Sequence, residues 1–62
     1  MEKVLVWKQA GEICAVYERE IVSIVGKPDG ITCSISVRYN DRPIDAAISI
    51  TEVFKQLGIK HV

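Results

Sequence analysis

Few residues of this chain combine the type and the spacing that catalysis or metal binding needs. His61 is the single histidine and lies next to the C-terminus, where chains are usually frayed. Cys14 and Cys33 lie 19 positions apart, and two cysteines with one histidine do not close a tetrahedral zinc site. We therefore predict no metal site, no catalytic residue and no cofactor.

Acid–base and nucleophilic chemistry is equally weakly supported. The eight carboxylates are scattered along the chain, without a pair at acid–base spacing. Ser34 and Ser36 have no base nearby in sequence, and the glycines occur singly in turns rather than in a phosphate-binding loop. The sequence predicts a protein that is not an enzyme, although an active site assembled across a dimer interface stays open.

Five residues are candidates for contact with a partner. Trp7 and Tyr17 lie on the two arms of a predicted hairpin, where they either pack in the core or form exposed anchors for a partner. Thr32, Ser34 and Ser36 form a polar row on one face of a predicted strand. Their hydroxyls would offer donors and acceptors to a partner strand, a peptide or a second copy.

Three basic residues are the candidates for nucleic-acid contact, namely Lys27, Arg38 and Arg42. Eight Lys and Arg balance eight Asp and Glu, so no long-range field attracts the chain to DNA. Asp29 and Asp41 lie close by in sequence, which favours a solvated mixed-charge surface. A contiguous basic patch would instead favour nucleic acid.

Five short strands and one helix must position these residues. The strands are predicted at 4–8, 13–17, 21–25, 31–39 and 44–48 from their apolar, β-branched and alternating patterns. Ser49 and Glu52 form a capping box that begins a helix, and Gly58 ends it. The predicted fold is α+β and mostly β: a five-stranded antiparallel meander with one short C-terminal helix packed on the sheet.

The helix should bury its apolar stripe against one face of the sheet. Val53 and Leu57 belong to that stripe, with the spacing of one helix face. The sheet face beneath it is predicted to carry five apolar side chains: Ile31, Ile35, Val37, Ile44 and Ile48. Both edge strands of an open meander would remain available for pairing, and we therefore expect a homodimer.

Length and composition set the remaining limits. The 62 residues make a single domain, 1–62, with 48% hydrophobic residues. The N-terminus does not have the pattern of a signal peptide, and no apolar run approaches the roughly 20 residues that span a bilayer. We predict a cytoplasmic protein without a membrane partner, whose Cys14 and Cys33 are reduced and largely buried. A structural disulfide is the alternative.

Three stretches resemble the LytTR type of DNA-binding domain. They are EREIVSIVGKPDGI at 18–31, SISVRY at 34–39 and SITEVFKQL at 49–57, and the similar layout runs from about residue 4 to residue 60. Ser23 stands where the family usually has an aromatic residue, and the DNA-contacting segment after the family's helix is missing here. The resemblance implies strands followed by a capped helix, and DNA binding as the function.

The sequence thus supports two functional hypotheses. The first is a small non-enzymatic interaction or regulatory module that self-associates or binds another protein through a sheet edge or an exposed apolar patch. The alternative is a shortened LytTR-like transcriptional regulator that binds DNA. The arrangement of the basic side chains in the folded chain should distinguish them.

Overall fold

Five strands and one helix follow one another in the computed structural model, which describes residues 2–59. The elements are β1 (Val4–Gln9), β2 (Glu12–Tyr17), β3 (Ile21–Gly26), β4 (Cys33–Val37), β5 (Ile44–Ala46) and α1 (Ile50–Leu57), with a 3-10 turn at Glu18–Glu20 between β2 and β3. The predicted α+β, mostly β class is confirmed, with antiparallel pairing throughout and the short helix packed on the strands.

The strands divide between two sheets, a β1–β2 hairpin and a three-stranded sheet of order β3-β4-β5, rather than forming the one continuous meander that the sequence predicted. The 3-10 turn is where the chain changes sheets. The Glu18 amide donates to the Lys3 carbonyl at 3.0 Å and so extends the first ladder, whereas the Arg38 amide donates to the Glu20 carbonyl at 2.9 Å and extends the second. The change is complete within one residue, Arg19.

The turn of the first hairpin has two residues, Ala10 and Gly11, both at positive φ (53° and 77°). This backbone belongs to the tight turns whose twist matches that of the flanking strands. Gly11 adopts the conformation at little cost, whereas Ala10 carries the steric penalty of the left-handed region, about 1–2 kcal/mol.

One apolar core lies between the two sheets and the helix. Its buried members are Leu5, Trp7, Val16, Cys33, Ile35, Val37, Ala46, Ile48, Val53 and Leu57. β4 is the central strand of its sheet and alternates as predicted, with Cys33, Ile35 and Val37 buried. The helix contributes Val53 and Leu57, as its apolar stripe predicted.

The predicted extent of β4 was wrong at both ends. Ile31 is 68% exposed and does not lie under the helix stripe, and Tyr39 is exposed as well. At the first end, the Asp29 carboxylate accepts the amides of Ile31 and Thr32 at 2.9 and 3.0 Å. These bonds hold Ile31 in the turn, so its side chain points to solvent.

Both predicted ends of α1 are confirmed. Ser49 Oγ accepts the Glu52 amide at 3.1 Å, and Gly58 has a φ of 71°. The amide of Ile59 then donates to the Phe54 carbonyl at 2.9 Å. These caps satisfy backbone groups at both ends of a helix that is too short to persist alone.

Candidate interaction surface

The face of the first hairpin that points away from the core is apolar. Side chains alternate along β1 and β2, so Leu5, Trp7 and Val16 enter the core. Six exposed side chains form the opposite face, which we call the hairpin outer face: Val4, Val6, Lys8, Ile13, Ala15 and Tyr17. Lys8 is its single charged member. Contiguous exposed apolar surface of this kind is typical of interaction sites.

The most prominent side chains of the hairpin outer face belong to β2. Ile13 is 71% exposed and Tyr17 is 49% exposed. The register places Ile13 across from Lys8 and Tyr17 across from Val4. The Arg19 guanidinium lies 5.2 Å from the centre of the Tyr17 ring and 2.9 Å from the Glu2 carboxylate. Tyr17 therefore has a cation beside its ring at the border of the apolar surface.

Two glutamine side chains cover strand edges. The backbone N–H and C=O of Val6 point away from β2, and both bond to the Gln56 side chain. The Val6 amide donates to Gln56 Oε1 at 2.9 Å, and Gln56 Nε2 donates to the Val6 carbonyl at 2.8 Å. Gln9 accepts the Ala47 amide at 3.0 Å and donates to the Asp45 carbonyl at 3.1 Å. Gln56 thus covers the outer edge of β1 at its middle residue, Val6, and Gln9 covers the outer edge of β5 at Asp45.

No side chain of residues 2–59 forms a hydrogen bond to the outer edge of β2. In an antiparallel pair the backbone groups point alternately toward and away from the partner strand. The Glu18 amide bonds to Lys3, so the backbone groups of the residues at even positions of β2 point toward β1. Ile13, Ala15 and Tyr17, at odd positions, therefore direct their N–H and C=O groups away from β1. Within residues 2–59 no hydrogen bond to these groups is present.

An open groove of about 470 Å³ adjoins the hairpin outer face. Its walls belong to β1, to the segment just before α1 and to α1 itself. The lining residues are Val6, Trp7, Lys8, Ile31, Ala47, Ile48, Ser49, Glu52 and Gln56. Lys8 and Glu52 give it charges of opposite sign beside apolar side chains. A lining of this kind suits a mixed polar and apolar side chain of a binding partner.

The structure separates the five predicted partner-contact residues. Trp7 is 7% exposed, and its indole N–H donates to Gln9 Oε1 at 2.8 Å, so it packs in the core rather than forming an exposed anchor. Tyr17 lies on the hairpin outer face. The polar row of Thr32, Ser34 and Ser36 is half-buried on the other sheet, where the Thr32 hydroxyl donates to Asp29 Oδ2 at 2.7 Å.

The predicted nucleic-acid residues lie apart. Lys27 is paired with Thr32 at one end of β4, and Arg38 with Glu20 at the other. Thr32 and Arg38 are six positions apart, which at the rise of a strand is about 20 Å. Lys27 Nζ lies 2.8 Å from Asp45 Oδ1, and this hydrogen bond, with the carboxylate's charge, raises the pKa of Lys27.

The other two basic residues have their own local contacts. Arg38 Nε donates to the Arg19 carbonyl at 3.0 Å, and the exposed Arg42 follows Asn40, whose side-chain oxygen accepts its amide at 3.4 Å. Lys27, Arg38 and Arg42 do not form one contiguous patch, because Lys27 is held at the opposite end of β4.

The cysteines lie in different sheets, and neither sulfur is in a disulfide. Cys33 is fully buried on β4, and burial, with a smaller contribution from the charge of Asp29, raises the pKa of its thiol. Cys14 on β2 is half-buried and packs against the core. A buried thiol held in its protonated form behaves as a small apolar side chain.

Candidate metal ligands are dispersed in the part of the chain that the structure describes, where no three His, Cys, Asp or Glu side chains come together. His61 falls outside residues 2–59. Within the same range no helix has both the length and the apolar character needed to cross a membrane.

The turn between β3 and β4 is expected to make stability depend on acidic pH. Hydrogen bonds from Thr32 and from the Ile31 amide lower the pKa of Asp29. A lowered pKa means that stability is present above the unfolded-state value, about 3.9, and is lost as the pH falls through the folded-state value. Urea midpoints should therefore fall between about pH 4 and pH 2 more steeply in the wild type than in Asp29→Asn.

The Asp29→Asn control keeps an acceptor oxygen for the two amides but does not titrate. All other carboxylates are common to both proteins, so the difference between the two pH profiles isolates Asp29. Parallel profiles would contradict the prediction.

Comparison of the chain with protein-family models, with curated proteins and with solved structures found no match. The resemblance to LytTR domains therefore stays a prediction, and functional inference depends on the surfaces described above.

The hairpin outer face and the two glutamines were missed by sequence reasoning. One signal could have revealed the face. β1 begins Val-Leu-Val-Trp and β2 contains Ile-Cys-Ala-Val-Tyr, so both strands are apolar on both faces. In a two-stranded sheet with one face on the core, the second apolar face must be exposed. No comparable signal in the sequence distinguishes Gln9 and Gln56 from ordinary surface residues.

Proposed function

We propose that this chain is a small, non-enzymatic interaction module of the cytoplasm that self-associates through its first hairpin. One observation carries the proposal, namely that the hairpin outer face is exposed and apolar in five of its six side chains. Ile13 and Tyr17 at its β2 side are of the types, β-branched and aromatic, that pair well across strands. The free thiols Cys14 and Cys33 support a reducing compartment.

Charge supports a protein partner over a nucleic acid. The chain has equal numbers of basic and acidic residues, so two copies do not repel each other through net charge. A DNA-binding surface would need clustered cations, whereas Lys27 and Arg38 lie at opposite ends of β4 and each contacts an oxygen of its own chain.

Substitution of Ile13 by lysine tests the proposal. Ile13→Lys places a second cation next to Lys8 on the hairpin outer face, and we expect it to weaken self-association by about tenfold to a hundredfold. The measurement is light scattering coupled to size exclusion, over a range of about 1 µM to 1 mM that spans typical weak dimers.

Val22→Lys is the matched control, because Val22 is also β-branched, is 66% exposed and lies on β3, outside the hairpin and the groove. It should leave the association unchanged. A wild-type chain that stays monomeric over the whole range would overturn the proposal, and so would a Val22→Lys effect as large as that of Ile13→Lys.

A further inference from the structure

We propose that two copies join through the outer edges of their β2 strands, in antiparallel orientation, to form a continuous four-stranded sheet of order β1-β2-β2-β1. The inference rests on the proposed function and specifies its geometry. Edge pairing differs from stacking of two hairpin outer faces, because it uses backbone hydrogen bonds of β2 that stacking would leave unmade.

Of the four outer strand edges in residues 2–59, the edge of β2 is the one best suited to pair with another strand. Gln56 covers β1 at Val6, and Gln9 covers β5 at Asp45. The hydrogen bonds within residues 2–59 include no side-chain cover of β3 either, but a register shift between Ile21 and Ser23 interrupts this strand, and only residues 23–26 pair regularly beyond the shift. Side-chain cover and bulges are the devices by which proteins block edge pairing.

In the described part of the chain, neither a covering side chain nor a bulge is present on β2. Its six residues, EICAVY, pair with β1 without a register shift and include no proline. From Ile13 to Tyr17 they carry no charge. An uncharged, regular and unpaired edge is a template for another strand.

The direction of the free backbone groups restricts the register. Only Ile13, Ala15 and Tyr17 point outward, so a two-fold pairing must place these residues opposite one another. When the two-fold axis passes between the two Ala15 residues, these two residues lie opposite each other. Each Ile13 then lies opposite Tyr17 of the other copy. Pairs of aromatic and β-branched side chains stabilise adjacent strands.

Registers shifted by two positions lose these pairs. One of them places Tyr17 opposite Gly11, and the other places Ile13 opposite Arg19. The register centred on Ala15 is therefore the one that uses both large apolar side chains of the edge.

The contact area and the charge of the β2 edge are consistent with a second copy of the chain as its partner, in a weak dimer. The total surface of the described chain is 4658 Å², and a stable dimer removes at least about 500 Å² per copy. Ile13 is 71% exposed and Tyr17 is 49% exposed, so these two side chains and the small Ala15 offer less area than that. The pair therefore belongs among weak and reversible complexes, with a Kd on the order of 10–100 µM. The uncharged edge offers no attraction to a charged partner.

Hydrogen exchange measured by NMR on the wild-type chain tests the geometry. The amides of Ile13, Ala15 and Tyr17 should exchange about tenfold more slowly at a concentration where roughly nine chains in ten are dimeric than in dilute solution. The Lys8 amide, on the outer edge of β1, is the internal control and should not change.

A proline at position 15 gives a second, independent readout. Ala15→Pro removes one outward N–H but none that bonds to β1, and proline is tolerated on an edge in this orientation. It should abolish dimerisation, whereas Ala15→Val, which keeps the N–H, should preserve it. Circular dichroism and the exchange of the Leu5 and Trp7 amides report whether the proline variant remains folded.

The outcomes separate the two proposals. A dimer whose three β2 amides are protected supports edge pairing. A dimer in which they exchange as in the monomer would overturn edge pairing while leaving self-association intact, and a dimer of folded Ala15→Pro would do the same. A chain that is monomeric at all concentrations would overturn both.

Discussion

Replacing Ile35 by alanine is expected to lower the free energy of unfolding by about 2–5 kcal/mol. Ile35 is 0% exposed at the middle of β4, the strand that pairs with both β3 and β5. Truncation removes buried methyl and methylene groups and leaves a cavity between the sheets and the helix. Small domains have total stabilities of about 5 kcal/mol or less, so a large fraction of the Ile35→Ala chains should be unfolded at 25 °C.

Urea unfolding followed by circular dichroism measures this effect. Ile31→Ala is the matched control, because it removes the same atoms from a side chain that is 68% exposed, and surface substitutions usually change stability by within about 0.5 kcal/mol. The prediction would be contradicted by a loss below about 1 kcal/mol at Ile35, or by equal losses at both positions.

Replacing Gln9 by alanine is expected to cost about 1–3 kcal/mol, more than its partly exposed position suggests. Gln9 Oε1 accepts both the Trp7 indole N–H at 2.8 Å and the Ala47 amide at 3.0 Å, and its Nε2 donates to the Asp45 carbonyl. One side chain thus joins the first hairpin to the end of β5. Its loss leaves the indole N–H of the buried Trp7 without this acceptor, and an unmade bond of this kind costs the desolvation of the donor.

A double-mutant cycle separates this contribution from general effects of truncation. Trp7→Phe removes the indole N–H, so Gln9→Ala should cost less in the Trp7→Phe background than in the wild type, with a coupling of about 0.5–3 kcal/mol. Gln56→Ala serves for comparison, because Gln56 bonds the exposed Val6 backbone, which water can replace. Equal costs at Gln9 and Gln56, with no coupling to Trp7, would contradict the assignment.

Part of the candidate surface was accessible from the sequence. Tyr17 was among the predicted contact residues and lies on the hairpin outer face, and the hairpin itself follows from two apolar runs around Gly11. Trp7 is of the same chemical class as Tyr17, but it lies on the opposite face. Odd positions of β1 and even positions of β2 face the core. The packing of the hairpin against β4 and α1 decides which of its two faces is buried, and residue types alone do not specify this packing.

Local interactions explain what the sequence by itself determined. The caps of α1 at Ser49 and Gly58 and the alternation of β4 each depend on residues only a few positions apart. Because these interactions form within one turn or one strand, the residue types are sufficient to predict them, and with them the order of elements and the α+β class.

Only the tertiary structure decided how the strand edges are used. The division into two sheets occurs at Arg19, between Glu18 and Glu20, each of which bonds to a residue 15 or 18 positions away. Gln56 reaches Val6 across 50 positions, and Gln9 reaches Ala47 across 38. Such contacts depend on where the hairpin docks, because a glutamine amide bonds any backbone edge that packing brings near it. The bare edge of β2 is the consequence, since no side chain of the described residues is packed where it could cover that edge.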